Sequence, residues 1–130
     1  MNITLWVLQV LLALAFFAHG WLFLMPSPEM AAQLNAELQR WFQLFLGVAE
    51  VLAAVGLILP GVTGILPWLV ACAAGGVVIV TISATIFHLF RAEFSSAAIT
   101  AVLFAMAAFT AYARWRIAPI LPSVPARRHV

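Results

Sequence analysis

The sequence predicts an all-α integral membrane protein: an up-down-up-down bundle of four transmembrane helices, with a short amphipathic helix at the interface between the first and second. Three observations predict it. The chain is 66% hydrophobic and only 8% charged, with a mean hydropathy of +1.15, whereas a soluble domain is about half apolar and about a quarter charged. Four segments approach the roughly 20 apolar residues that a helix needs to cross a bilayer core about 30 Å thick. The connections between them are short, which makes consecutive helices antiparallel neighbours.

The first span is expected at about residues 3–25. Ala13-Leu14-Ala15 resembles a signal-peptide cleavage site, but no Lys or Arg precedes the apolar run and the run continues past it. A retained span is therefore expected. Next, Ser27-Pro28-Glu29 has the pattern of a helix start, with Ser27 as N-cap and Pro28 at the first helical position. Met30, Leu34, Leu38 and Trp41 then share one face, and Gln33, Glu37 and Arg40 lie elsewhere. This is the pattern of a short helix lying in the membrane interface. The second span is expected at 41–59, closed by a tight turn at Pro60-Gly61-Val62-Thr63-Gly64. The third is expected at 65–90 and the fourth at 95–115, with Arg91-Ala92-Glu93 between them. Together these make one transmembrane domain, residues 1–116. Residues 117–130, rich in Pro and Arg, are expected to form a flexible cytoplasmic tail.

The charge inventory excludes some functions. Six basic residues, all arginines, face four glutamates, for a net charge of +2. No basic stripe with interleaved aromatics is present, so no nucleic-acid partner is expected. Cys72 is the single cysteine, which leaves no intramolecular disulfide, no C-x-x-C and no zinc pattern. It reads as a small packing residue. The arginines read as topology signals. Arg114, Arg116, Arg127 and Arg128 lie on the side of the termini, and Arg40 and Arg91 on the other. The positive-inside rule then places both termini in the cytoplasm.

Inside lipid, helices associate through small residues rather than through exclusion of water. The expected inward faces are Ala97, Ala101, Ala105 and Ala108 with Tyr112 on the fourth helix. On the third they are Ala71 with Gly75 and Cys72 with Gly76, and on the second Gly47 and Ala54 on either side of Glu50.

Glu50 is the anomaly. A carboxylate at mid-span is unfavourable by about 2.5–3.5 kcal/mol on insertion scales, so such a residue has a partner or a task. Helix rise puts His19 roughly 9 Å, Glu50 roughly 13 Å and His88 about 3–5 Å from the boundary away from the termini. All three thus occupy one half of the membrane. Gln43, Gly47, Glu50 and Ala54 share a face, as do Thr81, Thr85 and His88, and Gln9, Phe16 and His19. His19, Glu50 and His88 are accordingly the candidates for ligand binding or proton sharing. Gln43, Thr81, Thr85 and Arg91 surround them, and Phe16, Phe17, Trp21, Phe42 and Phe45 are candidate aromatic walls. The plainer alternatives remain: interfacial histidines satisfied by water, and a structural buried acid.

Ala18-His19-Gly20, Gly47-x-x-Glu50, Gly56-Leu57-Ile58-Leu59-Pro60-Gly61 and the His88 end of the third span together resemble the DoxX-like family of small bacterial membrane proteins, over roughly residues 5 to 115. The resemblance implies a four-helix bundle in the bacterial inner membrane, with His19, Glu50 and His88 at the family's polar positions. It also implies an association with redox processes, such as thiosulfate:quinone oxidoreductase or thiol-stress complexes. Without a cysteine pair, a dithiol mechanism does not carry over. Thiosulfate does not either, because only Arg40 and Arg91 are near the relevant surface. The expected function is binding of a small lipophilic or quinone-type molecule in the His/Glu pocket, as accessory to a redox system. Three rivals stand beside it: an intramembrane acid/base enzyme of isomerase or hydratase type, an assembly or chaperone subunit for a membrane complex, and haem or metal held by His19 and His88. No metal site is expected and haem is the weakest rival. A homodimer or a partner membrane subunit is compatible with all of them.

Overall fold

Apolar composition and helix propensity dominate each segment, and the computed structural model, which describes residues 1–123, is helical almost throughout. The elements are α1 (Asn2–Leu24), α2 (Pro28–Glu37), α3 (Arg40–Thr63), α4 (Leu69–Phe90) and α5 (Phe94–Tyr112), with one π-helical turn (Ala113–Ile117) after them. Four of them, with α5 continuing through Ile117, are long and apolar enough to cross a membrane. No strand occurs among the described residues.

α1 packs on α3, α3 on α4 and α4 on α5, while α5 returns to α1 through a sparser contact. The ring is therefore closed but loosest at the α1/α5 seam. Its centre is apolar: Leu12, Ala13, Phe16, Ala54, Leu57, Ala74, Val77 and Ala107 form one cluster. The outer surface is also apolar, from Val7 and Leu14 on α1 to Ile99 and Val102 on α5. Such a surface suits the lipid of a bilayer rather than water. Trp21 and Trp41 lie exposed at one end of the bundle and Trp68 and Trp115 at the other, the positions expected of interfacial tryptophans.

Several boundaries differ from the sequence reading. α3 runs through Pro60 to Thr63 and stops at Gly64, whose φ of +67° is left-handed. Proline is tolerated here because only the last turn lies beyond it. The Thr63 hydroxyl donates to the Leu59 carbonyl and the Gly64 N–H to the Pro60 carbonyl, the usual αL closure of a helix. The reversal falls at 64–68, and α4 begins at Leu69 rather than near 65. α2 begins as the sequence indicates, with Ser27 accepting from the Met30 N–H and Pro28 opening the helix. Leu34 is buried, but Trp41 lies in the first turn of α3 and is exposed.

The small-residue faces are also partly reassigned. On α3, Gln43, Gly47, Glu50 and Ala54 do face inward. On α4 the buried line is Val70, Ala71, Ala74, Val77 and Thr81, while Cys72 and Gly76 face outward. On α5, Ala97 and Ala107 are buried, but Ala101, Ala105 and Tyr112 point outward. A stretch apolar on every side carries no hydrophobic asymmetry to mark its inner face, and the larger Val70 and Val77 fill the bundle instead. Past the π turn, the chain folds back: the Ser123 N–H donates to the Gly64 carbonyl, and Ile120 packs where Gly61 lacks a side chain. Residues 118–123 of the expected tail thus lie against the α3–α4 turn, and 124–130 lie outside the described residues.

Candidate functional site

Two glycines set the geometry. A Cβ on Gly20 would lie 2.9 Å from the Gly47 carbonyl oxygen and 3.0 Å from the Glu50 Cβ; one on Gly47 would lie 2.9 Å from Leu24. α1 and α3 therefore approach backbone to backbone, as membrane helices do at small residues. His19 precedes one of these glycines and Glu50 lies one turn after the other. The close crossing brings them together, with His19 Nδ1 2.6 Å from Glu50 Oε2.

The two partners differ sharply in access. Glu50 is 3% exposed, whereas the His19 side chain is 57% exposed. The carboxylate is sealed against α1 and the imidazole is the group that a ligand can touch. Because Nδ1 is held by the carboxylate, Nε2 is the free nitrogen, and the ring is oriented by its partner. Phe23 packs beside the ring with centroids 4.6 Å apart.

His19 and Glu50 line a cavity of about 380 Å³ built by four helices. α1 contributes Ala15, Phe16 and His19, and α3 contributes Glu50. α4 adds Val80, Thr81, Ala84 and His88, and α5 adds Ser96, Ile99, Thr100 and Leu103. The volume falls within the range of small-molecule sites, roughly 300–1,000 Å³. Most of the wall is apolar, with polar groups at a few points.

His88 faces this cavity but does not join Glu50. Its Nδ1 lies 2.6 Å from Glu93 Oε2. The chain reverses within five residues there, with Ala92 at a φ of +57°, so the nearer carboxylate captures the ring. Arg91 is likewise drawn outward. It donates from Nε to Glu93 and from Nη2 to Glu37, each at 2.9 Å, which ties α2 to the α4–α5 turn. The His88 hydrogen bond, and then Arg91, hold the Glu93 carboxyl below the usual range against the opposing effect of desolvation. The hydrogen bond to Glu93 and the Glu37 charge push Arg91 up.

The surrounding residues divide. Thr81 lines the cavity, its hydroxyl donating to the Val77 carbonyl. Thr85 does not line it; its hydroxyl donates to the Thr81 carbonyl and contacts that of Thr100. Gln43 is buried away from the cavity and donates to the Phe23 carbonyl. Of the aromatic residues expected as walls, only Phe16 lines the cavity. Phe17, Trp21, Phe42 and Phe45 are exposed on the outer surface, where Phe17 stacks on Trp21 and Phe42 on Phe45. Phe42 and Phe45 lie on the side of α3 away from the crossing, whereas Phe17 borders a shallow outer groove between α1 and α3.

A second polar cluster is one that sequence reasoning misses. Arg114 is 4% exposed and donates to Gln9 Oε1, Asn2 Oδ1 and the Ala118 carbonyl. Gln9 in turn donates to the Leu57 carbonyl at 2.6 Å, and the Arg114 guanidinium lies over the Trp6 ring. As one of four arginines on its side of the membrane, Arg114 reads as a topology signal. The signal that could reveal the cluster is Gln9, a lone amide on an apolar face one helix turn from Leu5 and Leu12. The apolar cluster around Leu12, Phe16, Leu57 and Val77 separates this girdle from the His19–Glu50 end.

Fold and site together define a small four-span membrane protein with a histidine–carboxylate pair opening into an intramembrane cavity. The chain belongs to the DoxX-like family, whose family model matches residues 7–110. No curated protein and no solved structure matches it.

Proposed function

We propose that the cavity binds a small lipophilic molecule of quinone type, and that the protein serves as accessory to a membrane redox system. One observation carries this reading: His19, fixed by buried Glu50 at 2.6 Å, opens into a cavity of about 380 Å³ with largely apolar walls. An apolar ring with an oxygen at its edge matches both halves of that description. Phe16 and Leu103 would pack against the ring, and His19 Nε2 would hydrogen-bond the oxygen. Entry from lipid through the sparse α1/α5 seam suits a molecule that partitions into the bilayer.

We further propose a bacterial inner-membrane location with both termini in the cytoplasm. The arginine distribution supports it, with Arg114, Arg116, Arg127 and Arg128 on one side against Arg40 and Arg91 on the other.

Calorimetric titration of the full chain in lipid nanodiscs with a short-tailed quinone tests the binding. Glu50→Gln keeps the shape but replaces the carboxyl group that holds the ring. Weakening that hydrogen bond is expected to lower affinity by about tenfold, or about 1.4 kcal/mol. Absence of binding, or equal binding by the variant, would count against the proposal.

A further inference from the structure

The girdle at the other end of the bundle holds a charge that no acidic side chain neutralises. The sequence has four acidic residues, all glutamates, and all lie elsewhere. Glu29 and Glu37 are on α2, Glu93 immediately precedes α5 and Glu50 is bonded to His19. Arg114 is nonetheless buried and enters no ion pair among the described residues. Its acceptors are all neutral. Nε donates to Gln9 Oε1 at 2.6 Å, and Nη1 donates to Asn2 Oδ1 at 2.7 Å and to the Ala118 carbonyl at 3.0 Å. Nη2 is buried with no hydrogen-bond partner among the described residues. Trp6 offers the guanidinium a π system but no oxygen. Taking a charge out of water without an opposite charge is costly, and a charge inside a membrane span marks a functional site by default.

We propose that Arg114 binds a phosphate-type anion, supplied by the headgroup of an anionic lipid. A guanidinium is a planar fork whose adjacent N–H groups match two oxygens of one phosphate. On Arg114, Nη2 has a donor to give, and the neighbouring Nη1 makes its longest contact with Ala118. Ala118 follows the π turn and is half-buried, so its carbonyl is the acceptor that an incoming oxygen displaces, opening the Nη edge. The exchange is favourable because a hydrogen bond charged on both sides is stronger than one to a neutral carbonyl. Gln9 and Asn2 keep their contacts and hold the fork in one orientation, which lowers the cost of binding. The level in the membrane is right for a headgroup. Trp115, the next residue, is exposed at this end together with Trp68, and such tryptophans sit at headgroup depth. Exposed Arg116 adds positive charge beside them. Free phosphate has the same chemistry; the depth of the girdle favours the lipid.

Solid-state NMR of the full chain with nitrogen-labelled arginine tests this by measuring the distance from the Arg114 Nη atoms to phosphorus. Three bilayers are compared: phosphatidylcholine with added phosphatidylglycerol, phosphatidylcholine alone, and phosphatidylcholine with inorganic phosphate. The expected result is a contact of about 4 Å with phosphatidylglycerol, the length of a charge-assisted hydrogen bond plus a P–O bond, and its loss in phosphatidylcholine alone. Native mass spectrometry gives a second measure. Phosphatidylglycerol is expected to be retained about tenfold more tightly than phosphatidylcholine, a preference that Arg114→Lys, which keeps the charge but not the fork, reduces. Should that variant fail to fold, the bilayer comparison on the unaltered chain decides alone. A contact with inorganic phosphate but not with phosphatidylglycerol upholds the anion site and assigns it to the free ion. No contact in any bilayer, or an equal contact in phosphatidylcholine alone, overturns the proposal.

Discussion

Replacing Gly20 by alanine tests whether the α1–α3 crossing creates the site. The added methyl would sit 2.9 Å from the Gly47 carbonyl oxygen and 3.0 Å from both the Glu50 Cβ and a Val51 methyl. None of these is the end of a long flexible side chain, so the helices must separate. Overpacking of this kind costs about 1–3 kcal/mol. Glycine-to-alanine substitution in a helix also gains about 1 kcal/mol of propensity, and that gain has to be cancelled. Gly75→Ala supplies the reference, because a methyl there meets nothing within 4 Å. Gly20→Ala is expected to be less stable than Gly75→Ala by about 1–3 kcal/mol, read from reversible unfolding in mixed detergent micelles. It is also expected to lengthen the His19–Glu50 contact and weaken ligand binding. Equal stability of the two variants would refute the claim that backbone contact at Gly20 sets the geometry.

Other consequences concern the girdle, the turn and the topology. Gln9→Leu strands the Arg114 Nε and the Leu57 carbonyl, and is expected to destabilise the bundle by about 1–3 kcal/mol in the same unfolding assay; an unchanged midpoint would show the girdle to be dispensable. Glu93 titrates below its ordinary value of 4.5, so its contacts with His88 and Arg91 are complete above that pH and are lost as pH falls through the depressed value. Amide exchange at Ala92–Phe94 is therefore expected to accelerate, relative to the intrinsic rate, only in strongly acidic solution; loosening already at neutral pH would contradict the ion-pair assignment. In a Cys72→Ser background, Ser27→Cys is expected to react with a membrane-impermeant maleimide from outside intact spheroplasts and Ser123→Cys only after lysis. The reverse pattern would invert the proposed topology.

The functional face of α3 is legible in the sequence because it carries contrast. Gln43, Gly47, Glu50 and Ala54 differ in size and polarity from the Leu and Val around them, and their spacing selects one side of a helix. His19 is legible for the same reason. The inner faces of α4 and α5 are not, since Ala101, Ala105 and Ala107 are chemically alike and only three-dimensional packing distinguishes them. Arg114 is easily misread because charge near a span end satisfies the positive-inside pattern wherever its head group goes. The capture of His88 by Glu93 depends on Ala92 adopting positive φ, which alanine does not signal. α3 continues past Pro60 because a proline so near a helix end leaves only one further turn to disturb.

Nitrogen NMR of histidine-labelled protein in bilayers, with and without the short-tailed quinone, interrogates the central pair most directly. Single-histidine substitutions assign the His19 and His88 signals. The account predicts an Nδ1 signal of His19 typical of a short hydrogen bond to a carboxyl group, lost in Glu50→Gln, and a ligand-induced shift at the Nε2 of His19. An Nδ1 signal indifferent to Glu50→Gln, or ligand addition that leaves the His19 Nε2 signal unmoved, would contradict it.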